Sequence, residues 1–329
     1  MIQQTVARLL PLARPKNFWV ITNSDLRPAI VSQLHRLFAP QILAEPAGRN
    51  TAPAIGLAAF LLLRQNPDAV LGLFPSDHTI ADEKTYRKTL QQGIRIAAAG
   101  DNIVVLGVRP IHPETGYGYI ETGDATASAA FRVRRFTEKP DAARAAEFVQ
   151  AGNYLWNSGM FLWSARTLTR ALEEHLPLTA KLLAQIAATF GTQKFPSTFK
   201  RLYPKCENIS VDYAILERRS AQGEAASNIF CVPADFGWND LGSWSAHYEH
   251  ETAKERATNG NLVFADATFA LNSTGNYIRA KNKFVALVGV TGLVVVETDD
   301  ALLITTREHA QDVGKVVKYL DDRKLHKLT

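Results

Sequence analysis

Cysteine is nearly absent from this chain of 329 residues: Cys206 and Cys231 are the two present, and they form no C-x-x-C pair. That excludes a disulfide framework and a four-cysteine zinc site, and leaves two reduced thiols. Long apolar runs are missing too. The segment LAAFLLL (57–63) falls far short of the ~18 residues that mark a membrane span, so it reads as the buried stretch of a helix. The first residues show no basic stretch leading to an apolar one and a cleavage site. The sequon Asn272-Ser273-Thr274 then carries no glycosylation reading, and a cytoplasmic location is expected. Charge of one sign is not concentrated: 37 Lys and Arg are scattered among 32 acids, net +5. That pattern argues against a nucleic-acid or membrane partner and suits small anionic ligands. No Walker A loop, no G-x-G-x-x-G and no Ser-His-Asp or Cys-His arrangement can be read.

What is present is a core-forming composition, 46% hydrophobic, in a chain long enough for one large domain and one small one. Short apolar runs alternate with helix-length amphipathic ones through roughly the first two-thirds. That is the pattern of an α/β fold with a mostly parallel sheet covered by helices. The opening residues, MIQQTVARLL, read as a helix. Strands are expected at 18–22, 41–44, 70–74 (buried on both faces), 103–108 and 229–232. Helices are expected around Ile30, Leu34 and Leu37, and over 54–64, 85–99, 165–190 and 211–219. Asn50 and Thr51 offer caps to the 54–64 helix, and Pro53 suits its first turn. Composition changes at 254–261 (KERATNGN), the expected boundary between a domain over 1–257 and one over 258–329. Beyond it, short β-like runs separated by turn residues predict a small β domain. A last helix, 309–326, carries Val313, Val316, Val317 and Leu320 on one face. Its basic residues read as a solvated face rather than a membrane anchor.

Polar clusters follow several strands, where open α/β sheets bind ligands. Asp77, directly after VLGLFP, either points into that crevice or caps a helix. Asp240, in FGWNDLGSW (236–244), sits in a turn that Gly237 and Gly242 permit; it is a metal ligand or a turn-former. Two carboxylates plus substrate phosphates and water would satisfy Mg²⁺. The loop EPAGRNTAPAI (45–55) places Glu45, Arg49 and Asn50 before a helix N-terminus, whose free N–H groups suit a nucleotide. Around Tyr117, Gly116 and Gly118 allow close backbone approach to a sugar, or simply a hairpin. FTEKP (136–140) offers Glu138 and Lys139 on opposite faces of an extended chain, with Lys139 a point charge for phosphate or a surface lysine. Asn157 and Ser158 lie amid bulky apolar groups in NYLWNSGMFLW (153–163), for a ligand or for local hydrogen bonds. His247 and His250 lack a third ligand, so zinc is not expected.

EPAGRNTAPAI, FPSDH, TGYGYI, FTEKP, WNSGMFLW, SVDYAILE and FGWNDLGSW together resemble the mannose-1-phosphate guanylyltransferase family, in its short bacterial form without an isomerase domain. The resemblance runs over essentially the whole chain. It implies a nucleotidyltransferase-type, Rossmann-like α/β/α sandwich followed by a small left-handed β-helix-like domain. The implied reaction is GTP plus mannose 1-phosphate giving GDP-mannose and diphosphate. By the same resemblance Asp77 and Asp240 bind Mg²⁺, and Glu45, Arg49 and Asn50 lie in the guanosine loop. Gly118, Glu138 and Asn157 contact the sugar, Lys139 contacts phosphate, and the chain forms a homodimer. Asp212, in SVDYAILE, matches a family motif with no role assigned. Family members begin with a strand and a GGxGTRLWPLSR-type loop, which nothing here matches. The expectation is therefore a late start or a truncation of about 30 residues, one strand-loop-helix unit, with weak turnover by 1–329 alone. Three other readings remain open: a non-catalytic GDP-mannose-binding subunit, a nucleotidyltransferase for another sugar 1-phosphate, and a decaying gene fragment.

Overall fold

The computed structural model describes residues 1–37, 39–252, 258–325 and 328. Its contacts divide the chain into two units, Met1–Trp238 and Asn239–Thr329. Of the expected boundary segment at 254–261, residues 254–257 lie outside the described residues, as does the last expected residue of the 309–326 helix.

The first unit is a three-layer α/β/α arrangement. Its strands are β1 (Val20–Asn23), β2 (Ile42–Glu45), β3 (Val70–Leu73), β4 (Ile103–Val108), β5 (Tyr119–Ala125), β6 (Phe131–Thr137), β7 (Tyr154–Ser164) and β8 (Ile229–Ala234). β1 and β2 form a separate parallel pair. The other six make one sheet in the order β3-β7-β4-β8-β6-β5, with β7 also reaching β5. The expected mostly parallel sheet is corrected here. β3, β4 and β8 run in one sense, but β7 inserts antiparallel between β3 and β4, so β4–β8 is the one parallel ladder of the six-stranded sheet. The long polar-centred β7 was not expected from the sequence at all.

β4 carries the two-faced burial that the sequence assigned to 70–74. Ile103 and Val105 enter the core against α2 (Thr51–Leu63), α4 (Ala165–His175) and α5 (Pro177–Ala188). Val104 and Leu106 enter the opposite core against α1 (Ile2–Leu9) and α3 (Glu83–Ala98). β3 is instead an edge strand of its sheet, with Leu71 buried and Gly72 exposed. The cores draw on fully buried Trp163, Tyr86, Leu57 and Leu90, each contributing roughly 1.5–3 kcal/mol of burial. Asn50 caps α2 and Asp82 caps α3 by accepting from the first-turn amides, fixing where each helix begins.

The second unit is a short parallel coil. β9 (Leu262–Phe264), β11 (Tyr277–Arg279) and β13 (Leu293–Glu297) stack in parallel, and β14 (Leu302–Thr306) closes the sheet antiparallel. β10 (Ala267–Leu271) and β12 (Phe284–Val288) form a second parallel pair. The turns are stitched by buried asparagines. Asn276 Nδ2 donates to Asn261 Oδ1 at 2.8 Å and to the Val290 carbonyl at 3.0 Å. The chain ends in α6 (Val313–Asp322), on which Val316 and Val317 are exposed. Among the described residues no helix is long and apolar enough to cross a membrane.

Candidate functional site

Three of the expected sugar residues converge in the first unit. Gly118 enters β5, Glu138 leaves β6, and Asn157 sits in β7. The Asn157 amide N–H donates to the Gly118 carbonyl at 2.8 Å. A Cβ on Gly118 would stand 2.5 Å from Glu138 Oε2 and 3.3 Å from Asn157 Cβ. A side chain there would push the Glu138 carboxyl aside, so glycine lets the two residues sit this close. The Glu138 side chain is 9% exposed, and its Oε2 is buried with no hydrogen-bond partner among the described residues. Burial, reinforced by the Asp212 charge and opposed by Lys139, lifts its carboxyl to about 7. Lys139 follows in a left-handed backbone conformation, φ +45°. It sends an exposed ammonium to within 4.0 Å of Glu138 Oε1. Strained backbone of this kind concentrates at functional sites.

The Tyr117 ring packs against Trp156 and Trp238, with centroids 5.2 and 5.3 Å apart and planes inclined by 79° and 63°.

Asp212 is the residue whose place the sequence did not disclose. It opens a π-helical stretch, Asp212–Glu217, where an α-helix was expected over 211–219. A wider turn of this kind inserts one extra residue and often marks a working part of a fold. Asp212 Oδ1 accepts from Asn157 Nδ2 at 2.9 Å. Burial raises its carboxyl above the ordinary aspartate range. One residue earlier, the Val211 amide donates to Thr51 Oγ1 at 2.9 Å, and the Ala52 amide donates to the Ile209 carbonyl at 3.2 Å. The 209–212 segment thus joins the Asn157 side of the site to the start of α2.

The 45–50 loop is tied to the same region, though differently from expectation. Glu45 Oε1 accepts from the Tyr203 hydroxyl, and burial pushes its carboxyl up. Arg49 Nε donates to the Pro204 carbonyl at 2.8 Å, and its Nη2 donates there as well. Asn50, at φ +63°, accepts from the Thr51 amide at 2.8 Å. Two amides of the helix start are therefore already bonded within the protein, and the Arg49 guanidinium braces the loop.

Asp77 stands on a loop gripped from both sides. Thr5 Oγ1 donates to the Ser76 carbonyl at 3.3 Å, and the buried Arg8 donates through Nη1 to the His78 carbonyl at 3.2 Å. The Trp238 indole donates to His78 Nδ1 at 3.1 Å, which leaves the ring proton on Nε2. That Nε2 is 3.9 Å from Asp77 Oδ1. Asp77 is not the cap of the next helix; Asp82 has that role. With its side chain 73% exposed on a braced loop, Asp77 offers hard oxygen donors, the chemistry that suits Mg²⁺ with retained waters. Among the described residues no cluster of three or more His, Cys, Asp and Glu forms a metal cage. Asp240 belongs to the second unit, where its Oδ1 accepts from the Gly242 amide at 3.0 Å. A Cβ on Gly242 would meet Asp240 Oδ2 at 2.5 Å, so a side chain there would displace this carboxylate. Positive φ falls on Leu241, at +52°, and on Gly237, at +65°.

The fold is shared with known proteins. Residues 1–257 match the family model described as nucleotidyl transferase. Residues 266–320 match the model for the mannose-phosphate isomerase/GMP-like β-helix domain, which makes the second unit a β-helix-like one. The chain is 36% identical to the mannose-1-phosphate guanylyltransferase of Salmonella muenchen, over 99% of its own length and 68% of that protein's. It is equally identical to the enzyme of that name from Escherichia coli strain K12, over 100% and 68%. The chain thus spans about two-thirds of these relatives. A crystal structure described as mannose-1-phosphate geranyltransferase from Thermus thermophilus superposes with a TM-score of 0.80 at 30% identity. The match covers 97% of this chain and 89% of that one.

Proposed function

This chain belongs to the nucleotidyl transferase family, and from that premise we propose that it makes GDP-mannose and diphosphate from GTP and α-D-mannose 1-phosphate. An oxygen of the sugar phosphate attacks the α-phosphorus, a new P–O–P bond forms, and the bond to the β-phosphate oxygen breaks with its electron pair leaving on diphosphate. A phosphate monoester has its second pKa near about 6, so the nucleophile is already charged at neutral pH and no general base is needed. The protein's part is then positioning and charge neutralisation.

The observation that carries this reading is Glu138 Oε2, a buried acceptor with no partner among the described residues, beside Gly118. A hexose hydroxyl would supply the missing donor. Lys139 would neutralise the sugar phosphate from the rim. Glu45, Arg49 and Asn50 would shape the guanosine loop, with Arg49 acting through Pro204. Mg²⁺ is the proposed cofactor, with Asp77 as a ligand and Asp240 as the second carboxylate the sequence offers. When bound, it neutralises triphosphate charge and templates in-line attack. We place the reaction in the cytoplasm and assign the chain to a homodimer. The outward row Ala267, Phe269, Leu271, Phe284, Ala286 and Val288 supports the latter, a wholly exposed apolar face on β10 and β12.

The test is a substrate panel: GTP, ATP, UTP and dTTP against mannose, glucose and N-acetylglucosamine 1-phosphates, reading sugar nucleotide and diphosphate. GTP with mannose 1-phosphate should be fastest. A preference for another pair, or GDP-mannose binding without turnover, would replace this reading.

A further inference from the structure

We infer that Asp212 is a positioning residue of the sugar site: its carboxylate fixes which end of the Asn157 amide faces the hexose. The proposal rests on the sugar-phosphate reading above and names a residue to which that reading gives no role. Asn157 is buried, and its two amide ends are told apart by their neighbours. Nδ2 donates to Asp212 Oδ1 at 2.9 Å, and Oδ1 accepts from the Gly159 amide at 3.1 Å. Flipping the amide would set a carbonyl oxygen against a carboxylate and an NH₂ against an N–H, which makes both contacts repulsive. In the orientation held, one N–H and one lone pair of Asn157 remain for ligand hydroxyls. The same side chain and Glu138 flank Gly118, where an added Cβ would stand 3.3 Å from Asn157 Cβ and 2.5 Å from Glu138 Oε2. The π-helical turn explains how Asp212 gets there: it opens a stretch that buries Ala214, Ile215 and Leu216 in the core. Neutralising Glu138 alone would not set the amide, because a protonated carboxyl donates as readily as it accepts.

The experiment measures calorimetric affinities for α-D-mannose 1-phosphate and for GTP in wild type, Asp212→Asn and Asp212→Leu, with unfolding midpoints alongside. Asparagine keeps a carbonyl acceptor for Asn157 Nδ2, so Asp212→Asn should bind the sugar phosphate within about threefold of wild type. Asp212→Leu removes the acceptor and should bind it about 10- to 100-fold more weakly, with GTP affinity unchanged. Equal losses for both ligands would mark a merely structural role and overturn the proposal, as would wild-type sugar-phosphate affinity in Asp212→Leu. If Asp212→Leu does not fold, a cycle decides. Asn157→Ala, Asp212→Ala and the pair are compared: once Asn157 is gone, losing Asp212 should cost less than about threefold more sugar-phosphate affinity. Independent, additive losses overturn the proposal. A wild type that binds another hexose 1-phosphate instead of mannose 1-phosphate would correct the function while leaving the Asp212 comparison to be read with that ligand. A wild type that binds none overturns both.

Discussion

Glu138→Gln should stabilise the first unit at alkaline pH while harming its ligand binding. Glu138 is buried, and one of its oxygens has no partner among the described residues. Its carboxyl is raised from the ordinary 4.5 to about 7, first by burial and then by the Asp212 charge. Below pH 4.5 the group is protonated in both folded and unfolded chains, so it adds no pH-dependent cost. As pH rises to 7, the unfolded chain releases this proton while the folded one retains it, and stability falls. At about 1.4 kcal/mol per pH unit the loss totals about 3 kcal/mol. Glutamine does not ionise, so the stability difference, Glu138→Gln minus wild type, should grow by about 3 kcal/mol between pH 4.5 and pH 8. Urea unfolding of both proteins, followed by fluorescence of the first unit's tryptophans and without ligand, reads that difference. A gap that stays level across the range would refute the burial argument and the buried-acceptor reading of the site. The stabilised variant should also bind mannose 1-phosphate more weakly, the usual relation between an unsatisfied site and its ligand.

Three further outcomes follow from particular contacts. Gly118→Ala drives a methyl to 2.5 Å from Glu138 Oε2, so it should cost about 1–3 kcal/mol of stability and weaken mannose 1-phosphate more than GTP, by thermal unfolding and calorimetry. Asp240→Asn retains an oxygen for the Gly242 amide, so its midpoint should match wild type while turnover drops at least about tenfold; near-normal rates at saturating Mg²⁺ would remove Asp240 from the chemistry. Phe284→Glu puts a charge on the exposed apolar row of β10 and β12 and should shift sedimentation from dimer to monomer without changing the far-ultraviolet circular dichroism.

The α/β class and most helices were legible because apolar periodicity survives wherever an element faces one core. The strand β7 was not, since Asn157 and Ser158 interrupt its apolar run for reasons that lie far along the chain. Asn157 is matched by Asp212, 55 residues away. The two-sided burial assigned to 70–74 belongs to β4, because apolar content alone does not say which strand lies at a sheet's edge. Gly118, Glu138 and Asn157 could be picked out as polar or glycine breaks in apolar surroundings. Asp212 could not, because a π-helical turn has no compositional signature and its neighbours read as an ordinary helix. Arg49 stood out as a cation at a helix start, yet its partner is a backbone carbonyl 155 residues on, which no local pattern encodes.

A crystal structure with GDP-mannose and Mg²⁺ bears most directly on the central claim, that Gly118, Glu138 and Asn157 hold the hexose. The account predicts hexose hydroxyls within hydrogen-bond distance of Glu138 Oε2 and the Asn157 amide, with the sugar-linked phosphate at Lys139 Nζ. A hexose bound away from all three residues, with Glu138 Oε2 still unpartnered, would contradict it.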